Sequence, residues 1–296
     1  MEVDVYTPMA VCAVVATILI LVTSLGIFSE KPIYMNLVVV VYLGLALLAY
    51  VNLIDKTLFD LPKILIEILA KDERPALITF WAVNVTFSIL FVIYISARGS
   101  ANTVHRKFFH LTVSLIFISG IVHDAVFLWL CSWLILALFV IVELFRFYEV
   151  PPWGNLLSNM MVFHDRQDGN VLLTQILLHL GIFFPIMLPG AMNWRTRKVH
   201  LHHFAGVAAV GVGDSFAAIV GSKLGTKYWP GSFKTVEGTA AMMVSMTIFL
   251  LLTSSFLEIP TNLPYLALVS TVASLLETFI PNYDNIVLPI ATYLML

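Results

Sequence analysis

The sequence predicts an all-α integral membrane protein, a polytopic helical bundle of about nine to ten transmembrane helices. The first observation is composition: of the 296 residues, 60% are hydrophobic and 11% are charged. A soluble domain has about 45–50% apolar and about 25% charged residues. The second is that apolar runs of about 20 residues, the length that crosses a bilayer, recur along the chain. The third is that the chain has no internal repeat and no long polar stretch, so we expect one membrane domain over 1–296.

The predicted spans follow one another with short connections. In chain order they cover 8–28, 33–53, 76–97, 108–123, 125–145, 171–192, 204–221, 239–257 and 264–280, with a short apolar tail at 286–296. Only His123-Asp124 separates the fourth span from the fifth, so this pair forms either a tight hairpin or one long broken helix. Segment 57–71 has leucine and isoleucine at helical spacing with charged residues between them. This pattern predicts an interfacial helix, with a solvated connector as the alternative.

Charge and cysteine content exclude other classes of protein. The formal net charge is −2 and the positive charges are scattered, so the chain lacks the basic face that binds nucleic acid. Cys12 and Cys131 lie in apolar runs, where a thiol acts as a small hydrophobic group, and they form no disulfide or metal motif. If 108–145 is a hairpin, loops on one side carry nine of the 16 Lys and Arg residues. We place that side in the cytosol.

Asp214 is the clearest candidate for chemistry, because an ionisable group inside a bilayer is costly and marks function by default. It lies near the middle of span 204–221, which is rich in Gly and Ala and can therefore pack closely against neighbours. The alternatives are a buried structural acid or an acid on a transport pathway. The polar loop 221–239 follows directly and holds Lys223, Lys234 and Glu237 among several glycines. Glycine backbone and lysine charge together suit a polyphosphate, although the loop is not a P-loop. A solvated connector is the alternative.

Two further regions contribute polar groups. Glu277 precedes Pro281 by about one helical turn, and Asp284 follows it before the last apolar run. Irregular backbone at this depth lines a cavity or is buried in protein, so both carboxylates point to a shared polar pocket, with a re-entrant turn as the alternative. Arg106, Lys107 and His110 open another span on the same side, and the run 164–170 adds more charge. The alternative for the basic pair is an anchor that sets membrane topology. His200, His202 and His203 lack an acidic or thiol partner at metal-site spacing, which predicts a solvated loop.

These residues carry a family resemblance. The run AGVAAVGVGDSFAAIVGSKLGTKYWPGSFKTVEGT at 205–239 resembles the CTP-binding region of dolichol kinases and is similar, more distantly, to phytol kinases and CTP-dependent diacylglycerol kinases. RKFFH at 106–110, the run ending in Asp168-Gly169 and 275–289 stand where that family has its other motifs. The resemblance covers about 98–296, which we interpret as a kinase-like catalytic region after the N-terminal spans of 1–97.

The resemblance implies a lipid kinase of the endoplasmic reticulum membrane, with its active site facing the cytosol. CTP would donate its γ-phosphoryl, with a divalent metal ion, Mg²⁺ or Ca²⁺, to dolichol or a similar polyprenol entering from the lipid, and dolichyl phosphate would serve glycosylation. We assign Asp214 as base or metal ligand and Glu277 or Asp284 as further metal ligands. The residues expected at the nucleotide are Lys234 and Lys223 together with Gly231, Ser232, Thr235, Glu237, Gly238, Arg106, Lys107 and His110.

Other functions stay open at this point. A kinase for phytol, another polyprenol or diacylglycerol would carry the same nucleotide motifs. A cytidylyltransferase would also use CTP but would release pyrophosphate. A secondary transporter could use Asp214 and Glu277 as coupling groups, although the 204–239 pattern has no repeat in the first half of the chain. The sequence also leaves open whether the protein forms a homo-oligomer.

Overall fold

The computed structural model describes residues 2–27, 32–98, 103–160, 170–188, 198–280 and 283–296, and these form an all-helical protein. The α-helices are α1 (Glu2–Ile27), α2 (Tyr34–Leu53), α3 (Leu61–Leu69), α4 (Arg74–Arg98), α5 (Thr103–His123), α6 (Ala125–Phe147), α7 (Trp153–Met160), α8 (Thr174–Met187), α9 (Ser215–Leu224), α10 (Val236–Phe256), α11 (Leu263–Phe279) and α12 (Asp284–Met295). Short 3₁₀ segments at Leu58–Asp60 and Leu201–Phe204 and a π-helix at Val207–Asp214 complete the described structure. The all-α prediction is confirmed.

Six helical segments among the described residues are long and apolar enough to cross a membrane. They are Val5–Gly26, Tyr34–Leu53, Arg74–Arg98, Ala125–Phe147, Val207–Leu224 and Val236–Phe256. The predicted count of nine to ten spans is not confirmed. Two of the other predicted spans correspond to the shorter helices α8 and α11, which have 14 and 17 residues, against the roughly 20 that a full crossing needs. The predicted apolar tail forms α12, which has 12 residues.

The ambiguous segment 108–145 forms two separate helices. The break falls at Asp124, whose carboxylate accepts a hydrogen bond of 3.0 Å from the backbone N–H of Phe127 and so caps α6. Segment 57–71 is helical as predicted, with the 3₁₀ turn leading into α3. Lys63 and Glu67 pair across one turn of α3, 3.9 Å apart, on its exposed side. Helix α7 is an element that the sequence patterns did not indicate.

The chain divides into two compact units. The first unit comprises Met1–Val83 and His123–Ile176, and the second comprises Asn84–Val122 and Leu177–Leu296. Each unit therefore takes sequence from two separate stretches. The predicted catalytic region 98–296 contributes residues to both units, whereas all the candidate site residues that the structure describes belong to the second.

The first unit has a small apolar core and, at Arg74, a fully buried cation. Ile20, Met35 and Leu144 belong to a buried cluster formed by α1, α2 and α6. Arg74, at the start of α4, is 2% exposed. Its guanidinium donates to the Asp124 carboxylate at 2.7 Å and to the backbone carbonyl of Ile68 at 2.8 Å. A buried charge is tolerated only when it is paired in this way, so Arg74 joins the starts of α4 and α6.

The second unit packs α9, α10 and α11 around the π-helix. Its core includes Ala208, Met242 and Val269, which are fully buried. Small residues allow α8 and the backbone just before the π-helix to approach each other closely. A Cβ atom at Gly206 would overlap the backbone carbonyl of Gly181 on α8, so only glycine lets these two backbones meet.

Candidate functional site

The predicted span 204–221 is not a regular α-helix. It begins as a 3₁₀ turn, widens into the π-helix Val207–Asp214 and continues as α9. π-Helical turns are rare and frequently occur at functional sites. The side chain of Ser114 on α5 fills the space beside Gly211, where any Cβ would collide with its hydroxyl. The π-helix and α5 therefore lie in direct contact, and the π-helix ends at the residue singled out by the sequence.

Asp214 lies at the centre of a buried polar cluster. It is 4% exposed, and its Oδ2 accepts a short hydrogen bond from the Nζ of Lys107. The Nε2 of His110 lies 3.4 Å from the same oxygen and 3.5 Å from the Lys107 Nζ. Lys107 and His110 are one turn apart on α5, so that helix presents both to the carboxylate. The ammonium charge compensates the buried carboxylate, which would otherwise be very costly.

A second lysine and carboxylate pair follows the same arrangement. Lys234, in the loop before α10, donates through Nζ to Oε1 of Glu277, which is 2% exposed near the end of α11. Burial on its own would lower the pKa of Lys234, but attraction to Glu277 and Asp214 outweighs burial and raises that pKa above its usual value. Lys234 therefore carries a positive charge at neutral pH.

The loop between α9 and α10 is held in one shape by its own side chains. The Glu237 carboxylate accepts hydrogen bonds from the backbone N–H and the hydroxyl of Thr226, at 3.1 and 2.6 Å. Thr235 caps α10 by accepting from the N–H of Gly238 at 3.2 Å. Ser232 donates to the backbone carbonyl of Thr278 on α11 at 2.8 Å. Gly231 has φ +76°, which glycine adopts without strain.

Asp284 joins these groups through its charge. It opens α12 and interacts electrostatically with Asp214, Lys234 and Lys107. The second unit therefore brings three carboxylates and two lysines into one cluster, formed by α5, the π-helix, the loop before α10, α11 and α12. No group of three or more His, Cys, Asp or Glu side chains is arranged to hold a metal ion within the described ranges.

Comparison with known proteins decides the family. A sequence profile of the dolichol kinase family matches residues 2–183. The chain belongs to the dolichol kinase family. The match includes the N-terminal spans, which the resemblance drawn from sequence motifs left out, and it contains Lys107 and His110 but not Asp214. No solved structure matches the chain.

Three curated relatives of the chain are named dolichol kinase. The human dolichol kinase is 34% identical over 249 residues, covering 76% of this chain and 45% of the relative. Dolichol kinase EVAN of Arabidopsis thaliana is 30% identical over 233 residues, covering 76% of this chain and 40% of the relative. The dolichol kinase of Saccharomyces cerevisiae is 28% identical over 229 residues, covering 75% and 42%. The aligned part is thus less than half of each relative's length.

Other residues that the sequence predicted for the site do not belong to this cluster. Lys223 is exposed at the end of α9, and Arg106 is half-buried on α5. Asp165, Arg166 and Asp168 of the 164–170 run lie outside the described residues, as does Pro281. The solvated-loop interpretation of the histidines at 200–203 is wrong for His203, which is fully buried and accepts a 2.9 Å hydrogen bond from the backbone N–H of His200.

The sequence reasoning missed a hydroxyl network behind the loop. The hydroxyls of Thr239 on α10 and Thr278 on α11 lie 2.7 Å apart, and the Trp229 indole donates to Thr239 at 3.0 Å. This network ties the loop to the helix that carries Glu277. Both threonines stand next to motif residues, at Gly238-Thr239 and Glu277-Thr278, but threonine inside an apolar helix gives no signal of its own because its hydroxyl commonly bonds the preceding turn.

Proposed function

We propose that the protein is a CTP-dependent lipid kinase that transfers the γ-phosphoryl of CTP to dolichol and yields dolichyl phosphate for glycosylation pathways. The observation that carries the proposal is the paired arrangement of Asp214 with Lys107 and of Glu277 with Lys234 in one buried cluster. Membership in the dolichol kinase family supports phosphorylation of an alcohol. The motif at 205–239 supports CTP as the donor. We place the enzyme in the endoplasmic reticulum membrane with this cluster facing the cytosol.

The reaction needs few protein groups, because phosphoryl transfer depends mainly on positioning and on neutralising charge. The acceptor hydroxyl oxygen forms a bond to the γ-phosphorus while the bond from that phosphorus to the β–γ bridging oxygen breaks. CDP leaves with the electron pair of that bond. Asp214 takes the hydroxyl proton, a role that requires an ionised carboxylate within hydrogen-bond reach of the acceptor.

The lysines have two roles in this proposal. Before the nucleotide binds, Lys107 and Lys234 neutralise Asp214 and Glu277. When the triphosphate arrives, its oxygens compete for the same ammonium groups. The carboxylates then become free to accept a proton or to bind a cation. Preorganised cations of this kind stabilise the charge that develops on the transferring group.

The residues present fit a divalent cation bound together with the nucleotide. Mg²⁺ is usually held by one or two carboxylates plus substrate phosphates and water rather than by a dedicated protein cage. Two lysine-neutralised carboxylates with the Asp284 carboxylate in the same cluster agree with that mode. Asp214, Glu277 and Asp284 are the residues that would hold Mg²⁺ or Ca²⁺. When bound, the ion would neutralise phosphate charge.

The test is phosphoryl transfer by the purified protein. The protein is supplied with γ-labelled CTP, Mg²⁺ and a panel of lipid alcohols, namely dolichol, phytol, diacylglycerol and a short polyprenol. We expect label in dolichyl phosphate, and less label when ATP replaces CTP. Parallel reactions with label in the α-phosphate test for cytidylyl transfer. Label from the α-phosphate in lipid, or no labelled lipid with any alcohol, would overturn the proposal, and transfer only to phytol or diacylglycerol would correct the acceptor.

A further inference from the structure

Thr278, the residue after Glu277 on α11, is bonded at two points to the loop before α10. Its side chain is buried, and its hydroxyl lies 2.7 Å from the hydroxyl of Thr239 on α10. Thr239 in turn accepts a hydrogen bond from the Trp229 indole at 3.0 Å. The backbone carbonyl of Thr278 accepts a hydrogen bond from the Ser232 hydroxyl at 2.8 Å. Because Trp229 and Ser232 both belong to the loop, Thr278 holds that loop through its side chain and through its backbone.

Hydrogen-bond length gives the direction of the bond between the two threonines. The Thr278 hydroxyl lies 2.8 Å from the backbone carbonyl of Ser274. The corresponding distance from the Thr239 hydroxyl to the carbonyl of Thr235 is 3.1 Å. A hydroxyl has one proton and prefers an acceptor at about 2.7–2.8 Å, so Thr278 donates within its own helix and Thr239 donates across to Thr278. The bonds therefore run in one direction, from the Trp229 indole through both hydroxyls into α11.

Ser232 connects Thr278 to the backbone of Lys234. The Ser232 hydroxyl accepts a hydrogen bond of 3.1 Å from the backbone N–H of Lys234 while it donates to the Thr278 carbonyl. The Lys234 ammonium donates to the carboxylate of Glu277, which precedes Thr278 in the chain. The backbone of the lysine and the backbone of its carboxylate partner are therefore both fixed at Thr278.

We propose that Thr278 is a positioning residue, which holds the loop before α10 in the shape that presents Lys234 to a phosphate group. Packing of α10 against α11 requires bulk at this position but no hydroxyl, whereas a chain of hydrogen bonds fixes the direction of the groups that it joins. A cation that is already in place binds phosphate more tightly, because a flexible loop must first be ordered and this lowers the apparent affinity. The inference rests on the proposed function only for the statement that the phosphate belongs to CTP.

Hydrogen exchange of the protein in lipid nanodiscs measures the order of the loop without any substrate. The backbone N–H groups of Trp229 and Val236 are bonded within the loop, to the carbonyls of Lys234 and Lys227 at 3.0 and 2.8 Å. Thr278→Val removes one hydroxyl of the network. Exchange of these two amides should become about three- to tenfold faster, the effect of losing one hydrogen bond. Amides in the middle of α10 and α11 should keep their rates.

Three further variants make the exchange test specific. Thr278→Ser keeps the hydroxyl and should exchange like the wild type. Trp229→Phe removes the indole N–H but keeps a ring beside Phe279, 5.9 Å away in the wild type, and should accelerate exchange as Thr278→Val does. Since both substitutions interrupt the same chain of bonds, the double variant should exchange no faster than the faster single variant. Thr271→Val is the control, because the Thr271 hydroxyl bonds the carbonyl of Ala267 in its own helix at 2.7 Å.

Kinetic constants connect the order of the loop to the nucleotide. With Thr278→Val, KM for CTP should rise about three- to tenfold and KM for dolichol should change little. Thr278→Ser should restore KM for CTP, and Thr271→Val should not alter it. Thermal unfolding is measured for each variant, because a purely structural threonine predicts lower thermal stability with no separate effect on CTP.

The outcomes separate this inference from the proposed function. Unchanged loop exchange in both Thr278→Val and Trp229→Phe, or equally fast exchange in Thr271→Val, would overturn the positioning role. The same holds if KM for CTP is unaffected by Thr278→Val in an active kinase, or if both KM values rise together with a loss of thermal stability. Faster loop exchange in the two variants, in a wild-type protein that transfers no phosphoryl group from CTP, would overturn the proposed function alone.

Discussion

Asp214 combines two properties that rarely occur together, a charge deep in an apolar helical bundle and direct contact with two bases. The carboxylate is 4% exposed and bonds Lys107, with His110 nearby. Such an arrangement is expensive to build, because each charge must be removed from water before the pair can form. A purely structural role would be served more cheaply by apolar residues of similar size. The cost therefore favours a function for the carboxylate.

Asp214→Asn should abolish phosphoryl transfer while the protein stays folded. The amide keeps the volume and can still bond His110, but it cannot take a proton, and loss of a general base typically lowers turnover about 10²–10⁴-fold. Turnover is measured with labelled CTP, and folding is measured by thermal unfolding. Glu143→Gln is a matched control, because Glu143 is a buried carboxylate of the first unit that bonds Arg146 and the N–H of Leu172. Retention of more than about a tenth of the wild-type turnover by Asp214→Asn would reject the catalytic role.

Lys234→Ala should impair the use of CTP more than the use of lipid. Its ammonium is charged at neutral pH and faces Glu277, so its loss removes a cation from the phosphates and leaves a buried carboxylate unpaired. We expect KM for CTP to rise and kcat to fall at least tenfold, about 1.4 kcal/mol, while KM for the lipid changes little. Lys227→Ala is the control, since Lys227 is an exposed lysine of the same loop. Equal effects of the two substitutions would show that the loop acts only through its total charge.

At the scale of single residues, the sequence identified the carboxylates but not their partners. Asp214, Glu277 and Asp284 stand out because charge is rare in apolar runs. Pairing could not be predicted, because Lys107 is separated from Asp214 by 107 positions and Lys234 from Glu277 by 43. The threonines 239 and 278 carried no signal, because a helical threonine usually bonds its own backbone.

At the scale of elements, the position of Asp214 depends on close packing between α5 and the π-helix. The Ser114 hydroxyl occupies the space beside Gly211 and bonds the carbonyl of His110 at 2.7 Å. Ser114 is one turn after His110. The contact that positions the π-helix therefore also positions the His110 imidazole near Asp214. A change in the packing should therefore be felt in activity as well as in stability.

Gly211→Ala should destabilise the protein and lower turnover, because the new Cβ collides with Ser114. Overpacking of this kind typically costs about 1–3 kcal/mol. Ser114→Gly in the same chain removes the collision and should restore part of the loss, although glycine inside a helix itself costs about 1 kcal/mol. Thermal unfolding and turnover are measured for both single variants and for the double variant. Gly26→Ala is the control, since nothing lies within 4 Å of a Cβ at that position. Additive effects in the double variant would contradict the packing argument.

The 3₁₀ turn at Leu201–Phe204 predicts a pH dependence of stability. Burial, together with the nearby His203 and His200, lowers the pKa of His202 to about 4. In the unfolded chain this imidazole titrates near 6.5, so below that pH the unfolded state binds a proton that the folded state does not. The free energy of unfolding should therefore fall as pH drops from about 6.5 towards 4. Denaturant titrations at several pH values measure it. His202→Gln should flatten this part of the profile, and an unchanged slope would contradict the assignment.

The elements themselves were largely predictable from the sequence. Apolar runs located the long helices because apolar length is what a membrane span requires, and the break at Asp124 agrees with one of the two predicted arrangements. The π-helix was not predictable, because a Gly and Ala-rich run has the same composition in an α-helix. Helix α7 was missed because its eight residues, WGNLLSNM, are too few and too polar for a span.

At the scale of the whole molecule, composition predicted a membrane protein, but no sequence pattern predicted the two compact units. Each unit combines an early and a late stretch of sequence, and no local pattern reports which distant helices pack together. The candidate cluster lies within the second unit. The family match runs from residue 2 to residue 183, so it includes the N-terminal spans and only the first part of the predicted catalytic region.

Membrane sidedness is the property of the whole molecule on which the proposed use of cytosolic CTP depends. A cysteine introduced at Phe233, which is 98% exposed beside Lys234, reports the side of the loop. Phe59 is 95% exposed next to α3, in the segment that the charge distribution places on the opposite side. Cys12 and Cys131 are first replaced by serine. In sealed microsomes an impermeant thiol reagent should label Phe233→Cys from the cytosolic side. It should label Phe59→Cys only after the membrane is permeabilised.

Protection by CTP with Mg²⁺ tests whether the labelled loop also binds the nucleotide. The nucleotide should protect Phe233→Cys from the reagent, because the triphosphate would bind beside the adjacent lysine, and it should leave Phe59→Cys unaffected. Of the 16 Lys and Arg residues, nine lie on the side placed in the cytosol and seven on the other. This small difference makes a direct measurement of the orientation necessary. Labelling of Phe233→Cys only after the membrane is opened would reverse the orientation and remove cytosolic CTP as the donor. Cytosolic labelling without protection would keep the orientation and contradict nucleotide binding at the loop.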